Sequence, residues 1–190
     1  MSSPVPASLP TASGGCRRSQ TGLGSTAGQG REDSLSLSER LTVRRFREDD
    51  PDERFALLSD PAVMRYPEPP YDRERAADLL RTAGLSQPPL LYAAEEDGKF
   101  LGYVIFHRYG EADAVELGWV LRRSAWGRGY AGRLTALLLS AAKGKYAQAV
   151  IECAPGRRAS ARVAEKLGFR EEGMADGCQV FRQAVPRDGV

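Results

Sequence analysis

Residues 114–143 constrain the fold more than any other stretch. They read AVELGWVL, then a basic loop RRSAWGRG, then YAGRLTALLLSAAK, with glycines at 127, 129 and 132. The first part is a strand pattern. The last is a helix running from about Gly129 to Lys143, whose Leu134, Leu137, Leu138 and Ala141 form one apolar stripe. Such a stripe has to be covered, and a sheet is the surface that suits it. Between strand and helix, the glycines place backbone N–H groups at a helix start beside several arginines, which is a good arrangement for holding a phosphate.

The remaining segments alternate in a way that supports a mixed fold. RLTVRRF reads as a first strand, PDERFALLSD as a helix, and RERAADLLRTAG as a second helix ending at Gly84. LLYAAEEDGKFLGYVIFHRY reads as two strands turning at Asp97-Gly98, a strong hairpin signal. QAVIECA is a further strand. ASARVAEKL is a short helix stopped by Gly168, with Phe169 placed to pack back, and CQVFRQAV closes the sheet.

Residues 1–38 are of another kind. They are rich in Ser, Gly, Pro and Thr, and the chain has no aromatic residue before Phe46. A segment so poor in apolar surface cannot offset the entropy of ordering it, so a disordered tail is expected there. It lacks the apolar core of a secretory signal. The domain is expected over residues 39–185, with a short C-terminal tail at 186–190. At about 145 residues it can bury a core without metal or disulfide support. The three cysteines, 16, 153 and 178, form no C-x-x-C pair, and their odd number argues against a disulfide framework. Cys153, in an apolar strand, reads as a small core residue. The single histidine, His107, leaves no conventional zinc site or histidine triad, and no metal is expected. No apolar run is long enough to cross a membrane. A cytoplasmic, reduced setting is the default expectation.

Charge is strongly polarised. Residues 48–84 carry ten Asp or Glu against five Arg, a net of −5, whereas residues 122–170 carry eleven Arg or Lys against two Glu, a net of +9. The basic half suits a polyanionic ligand and the acidic half a cationic or amine one. Nucleic acid ranks last as a partner, because the basic stretch has neither interleaved aromatic residues nor a helix-turn-helix signature.

Two readings compete for the glycines. Gly127-x-Gly129-x-x-Gly132 fits the letter of the dinucleotide fingerprint, with Glu152 about twenty positions on. In that fold, however, the first glycine turns tightly off its strand, and here RRSAW intervenes. Only 58 residues follow Gly132, too few for a second mononucleotide-binding half.

The other reading covers more of the chain. Trp126-Gly127-Arg128-Gly129-Tyr130-Ala131 resembles the pyrophosphate loop of the GNAT superfamily of N-acetyltransferases, in particular the branch that acetylates ribosomal-protein N-termini. RLTVRRFREDD, DPAVMRYPEPPY, ELGWVL and SARVAEKLGFREEG match that branch in order, so the resemblance spans roughly residues 40–183. It implies an α/β fold of the α+β kind: a mostly antiparallel central sheet of six to seven strands flanked by about four helices, in the order β-α-α-β-β-β-α-β-α-β.

The resemblance also implies a chemistry. The donor would be acetyl-CoA and the acceptor a primary amine, either a protein N-terminus or a small molecule, handled by a monomer or homodimer. Backbone groups of Trp119, Val120 and Leu121 would align the pantetheine arm. Trp126 and the amides of Gly127, Arg128, Gly129, Tyr130, Ala131 and Gly132 would hold the pyrophosphate, with Arg122, Arg123 and Arg128 lending charge. Glu116 matches a position that serves as base, through water, and Ser160 the serine that protonates the departing thiolate. As plain structure, Glu116 would be a salt-bridged strand residue and Ser160 a helix N-cap. Superfamily members with a tyrosine just before E-K-L-G-F use it as the acid, and this chain has Ala164 there.

Arg157 stands where the branch carries the Asn that begins the last helix and touches pantetheine. Arginine is a poor N-cap, so the helix start is expected to shift toward Gly156 or Ser160. Tyr66, Tyr71 and His107 are candidates for the acceptor pocket. Two other readings stay open on the residues alone: a non-catalytic acyl-CoA-binding or sensing domain, and a small NAD-binding oxidoreductase.

Overall fold

The computed structural model describes residues 34–36, 40–50, 57–64, 71–110 and 113–186. Among them one eight-stranded sheet runs in the order β1-β2-β3-β4-β5-β6-β8-β7. The strands are β1 (Ser34–Ser36), β2 (Leu41–Arg44), β3 (Leu91–Glu96), β4 (Lys99–Arg108), β5 (Ala114–Leu121), β6 (Gln148–Cys153), β7 (Arg170–Ala175) and β8 (Cys178–Ala184). Three α-helices accompany them: α1 (Arg73–Gly84), α2 (Tyr130–Ala142) and α3 (Arg158–Lys166). Every strand pair is antiparallel except β5 with β6, whose connection passes through α2.

The mostly antiparallel α/β fold is as expected, and α1 and α2 fall where the sequence placed them. Three details differ. The last helix is followed by two strands that form a hairpin, β7 and β8, and β8 inserts between β6 and β7. A short strand, Ser34–Ser36, pairs with β2 ahead of the expected start of the domain at 39. The helix expected at PDERFALLSD lies mostly outside the described residues, and its end is a single 3₁₀ turn at 57–59. Residues 187–190 also lie outside them.

The sheet has a core on each face. On one face α2 lays Leu134, Leu137 and Leu138 against Val115, Leu117, Ile151 and Phe181. Each such leucine contributes about 2 kcal/mol by leaving water. On the other, Leu79 and Ala83 of α1 meet Phe46, Leu58, Tyr103 and Ile105. Because side chains alternate along a strand, neighbours on β5 serve different cores: Leu117 faces α2, while Glu116 faces the α1 side.

One buried ion network pins the β2 edge. The Arg44 guanidinium forms two bonds to Asp50 (3.0 and 2.7 Å) and two to Glu95 (3.1 and 2.8 Å). These bonds hold its pKa above the ordinary arginine value against the opposing pull of burial. Cys153 is buried, as expected of a core residue. No helix among the described residues is long and apolar enough to cross a membrane.

Candidate active site

β5 changes partners along its length. Ala114, Val115 and Glu116 pair with Gln148, Ala149 and Val150 of β6, and there the pairing ends. β4 stays paired with β5 all the way to Leu121. Residues 117–121 are therefore paired to a strand on one side only. Their far end, Trp119, Val120 and Leu121, borders a cavity of about 600 Å³. The rest of its wall comes from Ala125, Trp126, Gly127 and Gly129, the first turn of α2, the start of α3, and Val63 and Met64.

The loop is shaped by its glycines. A 3₁₀ turn at Arg123–Ala125 tucks Ala125 into the core. Gly127 (φ +70°) and Gly129 (φ +77°) then take left-handed conformations that side-chain-bearing residues rarely adopt. The Trp126 indole N–H donates to the Leu121 carbonyl at 2.7 Å, fastening the loop to the end of β5. α2 begins at Gly129 with no side chain capping it, so the amides of Tyr130, Ala131 and Gly132 have no intrahelical acceptor. All three residues line the cavity.

Behind this turn, the Tyr130 hydroxyl donates to the Glu96 carboxylate, and Arg133 adds a bond at 3.2 Å. The tyrosine, then the arginine, hold the Glu96 carboxyl below its ordinary value. The same bond raises the Tyr130 hydroxyl.

Not every expected phosphate-binding arginine is at the cavity. Arg122 donates to the Phe100 carbonyl at 3.2 Å, and Arg128 lies 5.2 Å from the centre of the Tyr130 ring. Arg122, Arg123 and Arg128 are exposed and lie outside the lining, although Arg128 sits between two glycines that belong to it. Arg157 and Arg158 do line it. The start of α3 is also corrected. Arg157 itself is the N-cap (φ −80°, ψ 69°) with no side-chain cap bond, and Ser160 is buried inside the first turn. The Arg157 guanidinium instead reaches across to the Val63 carbonyl (3.4 Å). Ser160 faces the cavity rather than capping the helix.

A polar row crosses the sheet on the α1 side. His107 of β4 is directly opposite Glu116 of β5, and Nε2 and Oε2 are 3.4 Å apart with both side chains about nine-tenths buried. On β6, two residues beyond the partner of Glu116, the Glu152 carboxylate accepts a 2.6 Å bond from the Tyr109 hydroxyl. Glu152 thus faces away from α2 and is already engaged, which removes the acidic residue that the dinucleotide reading required. Tyr71 is buried with the Arg75 guanidinium 4.0 Å over its ring, in the α1 core and away from the cavity lining. Tyr66 lies outside the described residues.

Known proteins share this fold. The family model for the acetyltransferase (GNAT) domain matches residues 40–170. The chain belongs to the GNAT acetyltransferase family. An uncharacterised N-acetyltransferase of Bacillus subtilis (strain 168), YnaD, is 26% identical over 154 residues, covering 79% of this chain and 87% of its own. Among solved structures, the ribosomal L7/L12 alpha-N-protein acetyltransferase RimL in complex with coenzyme A superposes with a TM-score of 0.69 at 19% identity, over 82% of this chain and 99% of its own. The microcin C7 self-immunity acetyltransferase MccE, solved with acetyl-CoA and AMP, gives 0.67 at 15% identity, over 82% and 98%. At such identities the two structures establish the GNAT fold and nothing finer.

Sequence reasoning reached the glycine loop and the end of β5 but missed part of the cavity. Val63, Met64, Ala125, Gly156, Arg158, Ala159 and Val163 also line it. The first two lie a hundred positions from α3, and no local pattern joins them. The His107–Glu116 pair did have a signal. Both lie near the facing ends of β4 and β5, and the antiparallel register of that pair brings them opposite each other.

Proposed function

We propose that this GNAT domain is an N-acetyltransferase that moves an acetyl group from acetyl-CoA to a primary amine, either a protein N-terminus or a small molecule. One observation carries the reading. β5 parts from β6 beside an uncapped helix start built on two left-handed glycines, and a single cavity joins the two features. The residues present suit the donor. The amides at the start of α2 offer hydrogen bonds and a positive dipole end to a pyrophosphate. Arg157 and Arg158 add charge from the facing wall, with Arg122, Arg123 and Arg128 outside it contributing a longer-range positive field. The unpaired edge of β5 at Trp119, Val120 and Leu121 can take an amide-bearing arm as an added strand. Val63, Met64, Ala125 and Val163 give that arm an apolar wall.

The chemistry falls to this chain's own groups. Glu116, held on the inner half of β5, takes the proton that the attacking amine must lose, through water. The Ser160 hydroxyl, at the cavity wall, supplies a proton to the sulfur that leaves. Acetyl-CoA, when bound, supplies the activated acyl group. The acidic segment 48–84, whose helix α1 covers the same face as Glu116, favours a positively charged acceptor on that side. This preference and the ordered motif matches both agree with a protein N-terminus, the acceptor class of the ribosomal-protein branch.

Two measurements test the reading. Acetyl-CoA at a hundred times its dissociation constant should stabilise the fold by about 2.7 kcal/mol in a thermal melt, and NADH should leave it unchanged. The Glu116→Gln variant should lose tenfold or more in turnover at neutral pH, with acetyl-CoA affinity nearly intact. Unchanged turnover would remove Glu116 from the mechanism, and a shift with NADH alone would overturn the donor assignment.

A further inference from the structure

The His107 ring makes two contacts that together fix where its protons are. Its Nδ1 is 2.9 Å from the Arg108 carbonyl oxygen. A carbonyl only accepts, so Nδ1 must carry a hydrogen and donate it. In the neutral ring Nε2 is then a lone pair, and it faces Glu116 Oε2 at 3.4 Å. At that ion-pair distance, with both side chains largely buried, the carboxylate favours a proton on the ring. The two groups are therefore placed so that a proton on one is felt by the other.

We propose that His107 and Glu116 form one proton-handling pair in which His107 is the final acceptor of the proton that the amine gives up. The proposal rests on the assignment of Glu116 as base. Before each turnover the pair sheds its proton to solvent. The amine nitrogen then bonds to the acetyl carbon. The carbon–sulfur bond breaks with its electron pair on sulfur, and the thiolate takes a proton from Ser160, which is refilled from water. The surplus amine proton passes to Glu116 Oε2 and on to His107 Nε2. The pair thus works as a base of histidine strength, where a lone carboxylate would be a much weaker one. His107 acts through Glu116 and is a positioning residue.

Other groups on this face modulate the pair without replacing it. From β6, Glu152 adds a negative charge tempered by the Tyr109 hydroxyl. From β8, Arg182 lies 5.8 Å from the centre of the Tyr109 ring, with its charge paired to Glu172 at 2.7 Å. From β4 and the α1 side come the buried hydroxyl of Tyr103, held neutral chiefly by desolvation, and Tyr71 with Arg75 over its ring. At 3.4 Å, Glu116 lies within ion-pair distance of the ring.

His107 is the only histidine in the chain, so its imidazole can be followed by NMR without assignment ambiguity and without any substrate. Long-range ¹H–¹⁵N spectra of the full-length protein should show the Nδ1–H tautomer at high pH. The imidazole pKa should fall by at least one unit in Glu116→Gln. An Nε2–H tautomer, or the same pKa in both proteins, would overturn the pair. Kinetics with acetyl-CoA and a short peptide bearing a free N-terminus give the second readout. In His107→Gln the acidic limb of kcat should move at least one unit toward lower pH, with the plateau reduced tenfold and KM for acetyl-CoA unchanged. A uniform loss at every pH, with the limb unmoved, would mean that His107 only supports the fold. Absence of transfer by the wild-type protein from any primary amine would refute the acetyltransferase reading, and the NMR result would still decide the pair.

Discussion

The inner half of β5, residues 114–116, is paired on both edges, whereas the outer half, residues 117–121, is paired to β4 alone and ends at the cavity. The inner half presents a side chain, Glu116, fixed by strands on either side and facing His107. The outer half presents backbone to a cavity whose far end is again backbone, at the glycine turn of α2. One end of the site is made of side-chain chemistry and the other of main-chain shape. Substitutions at the outer end should therefore alter binding or stability and leave proton chemistry alone, while those at the inner end should do the reverse.

The largest effect should come from Gly102→Ala. Gly102 has φ +149°, and a Cβ there would lie 2.1 Å from the Val120 carbonyl oxygen, pushing the outer half of β5 off β4. Overpacking and backbone strain together should cost on the order of 4 kcal/mol, measurable by urea denaturation. A loss under about 1 kcal/mol would show that β4 does not hold this half in place.

Gly129→Val comes next. A Cβ there meets nothing within 4 Å, so the fold should survive, but the left-handed conformation would be lost. Acetyl-CoA affinity should drop by tenfold or more, about 1.4 kcal/mol, in titration calorimetry, with the His107 resonance unmoved. A shift of that resonance would mean that the two ends are coupled.

Trp126→Phe removes the bond to the Leu121 carbonyl together with part of the ring at the cavity wall and should cost about 1 kcal/mol, read as an approximately fivefold rise in KM for acetyl-CoA. The smallest effect is on pH-dependent stability. The Glu96 carboxyl titrates below its ordinary value of 4.5 in the folded protein, so its contribution is fully present above that value and is lost as pH falls through the lower, folded one. Tyr130→Phe should flatten this acid-side loss in melts recorded below pH 4.5. An unchanged slope would mean that Arg133 alone sustains the shift.

How legible each region was follows from the same contrast. At the outer end the glycine turn and the helix after it are legible, because their determinants are local. Two glycines at 127 and 129 permit left-handed backbone, a leucine stripe marks α2, and Asp97-Gly98 marks the hairpin. The ends of α1 were legible for the same reason, with Asp72 capping through a 2.7 Å bond to the Arg75 amide. The inner end was read as separate residues. Glu116 and His107 were each singled out, but their pairing depends on strand register. The Tyr109–Glu152 bond depends on β6 lying beside β5, which no stretch of sequence states.

By itself the sequence determined most of the elements, the mostly antiparallel α/β class, the glycine turn before α2 and the family, since all of these rest on spacing along one stretch of chain. The tertiary structure decided where β5 leaves β6, that β8 slips between β6 and β7, and that Val63 meets Arg157 across the cavity. It also decided that a histidine and a glutamate face each other across β4 and β5. Those outcomes are set by register and burial, and such free energies belong to surfaces that meet only once the chain has folded.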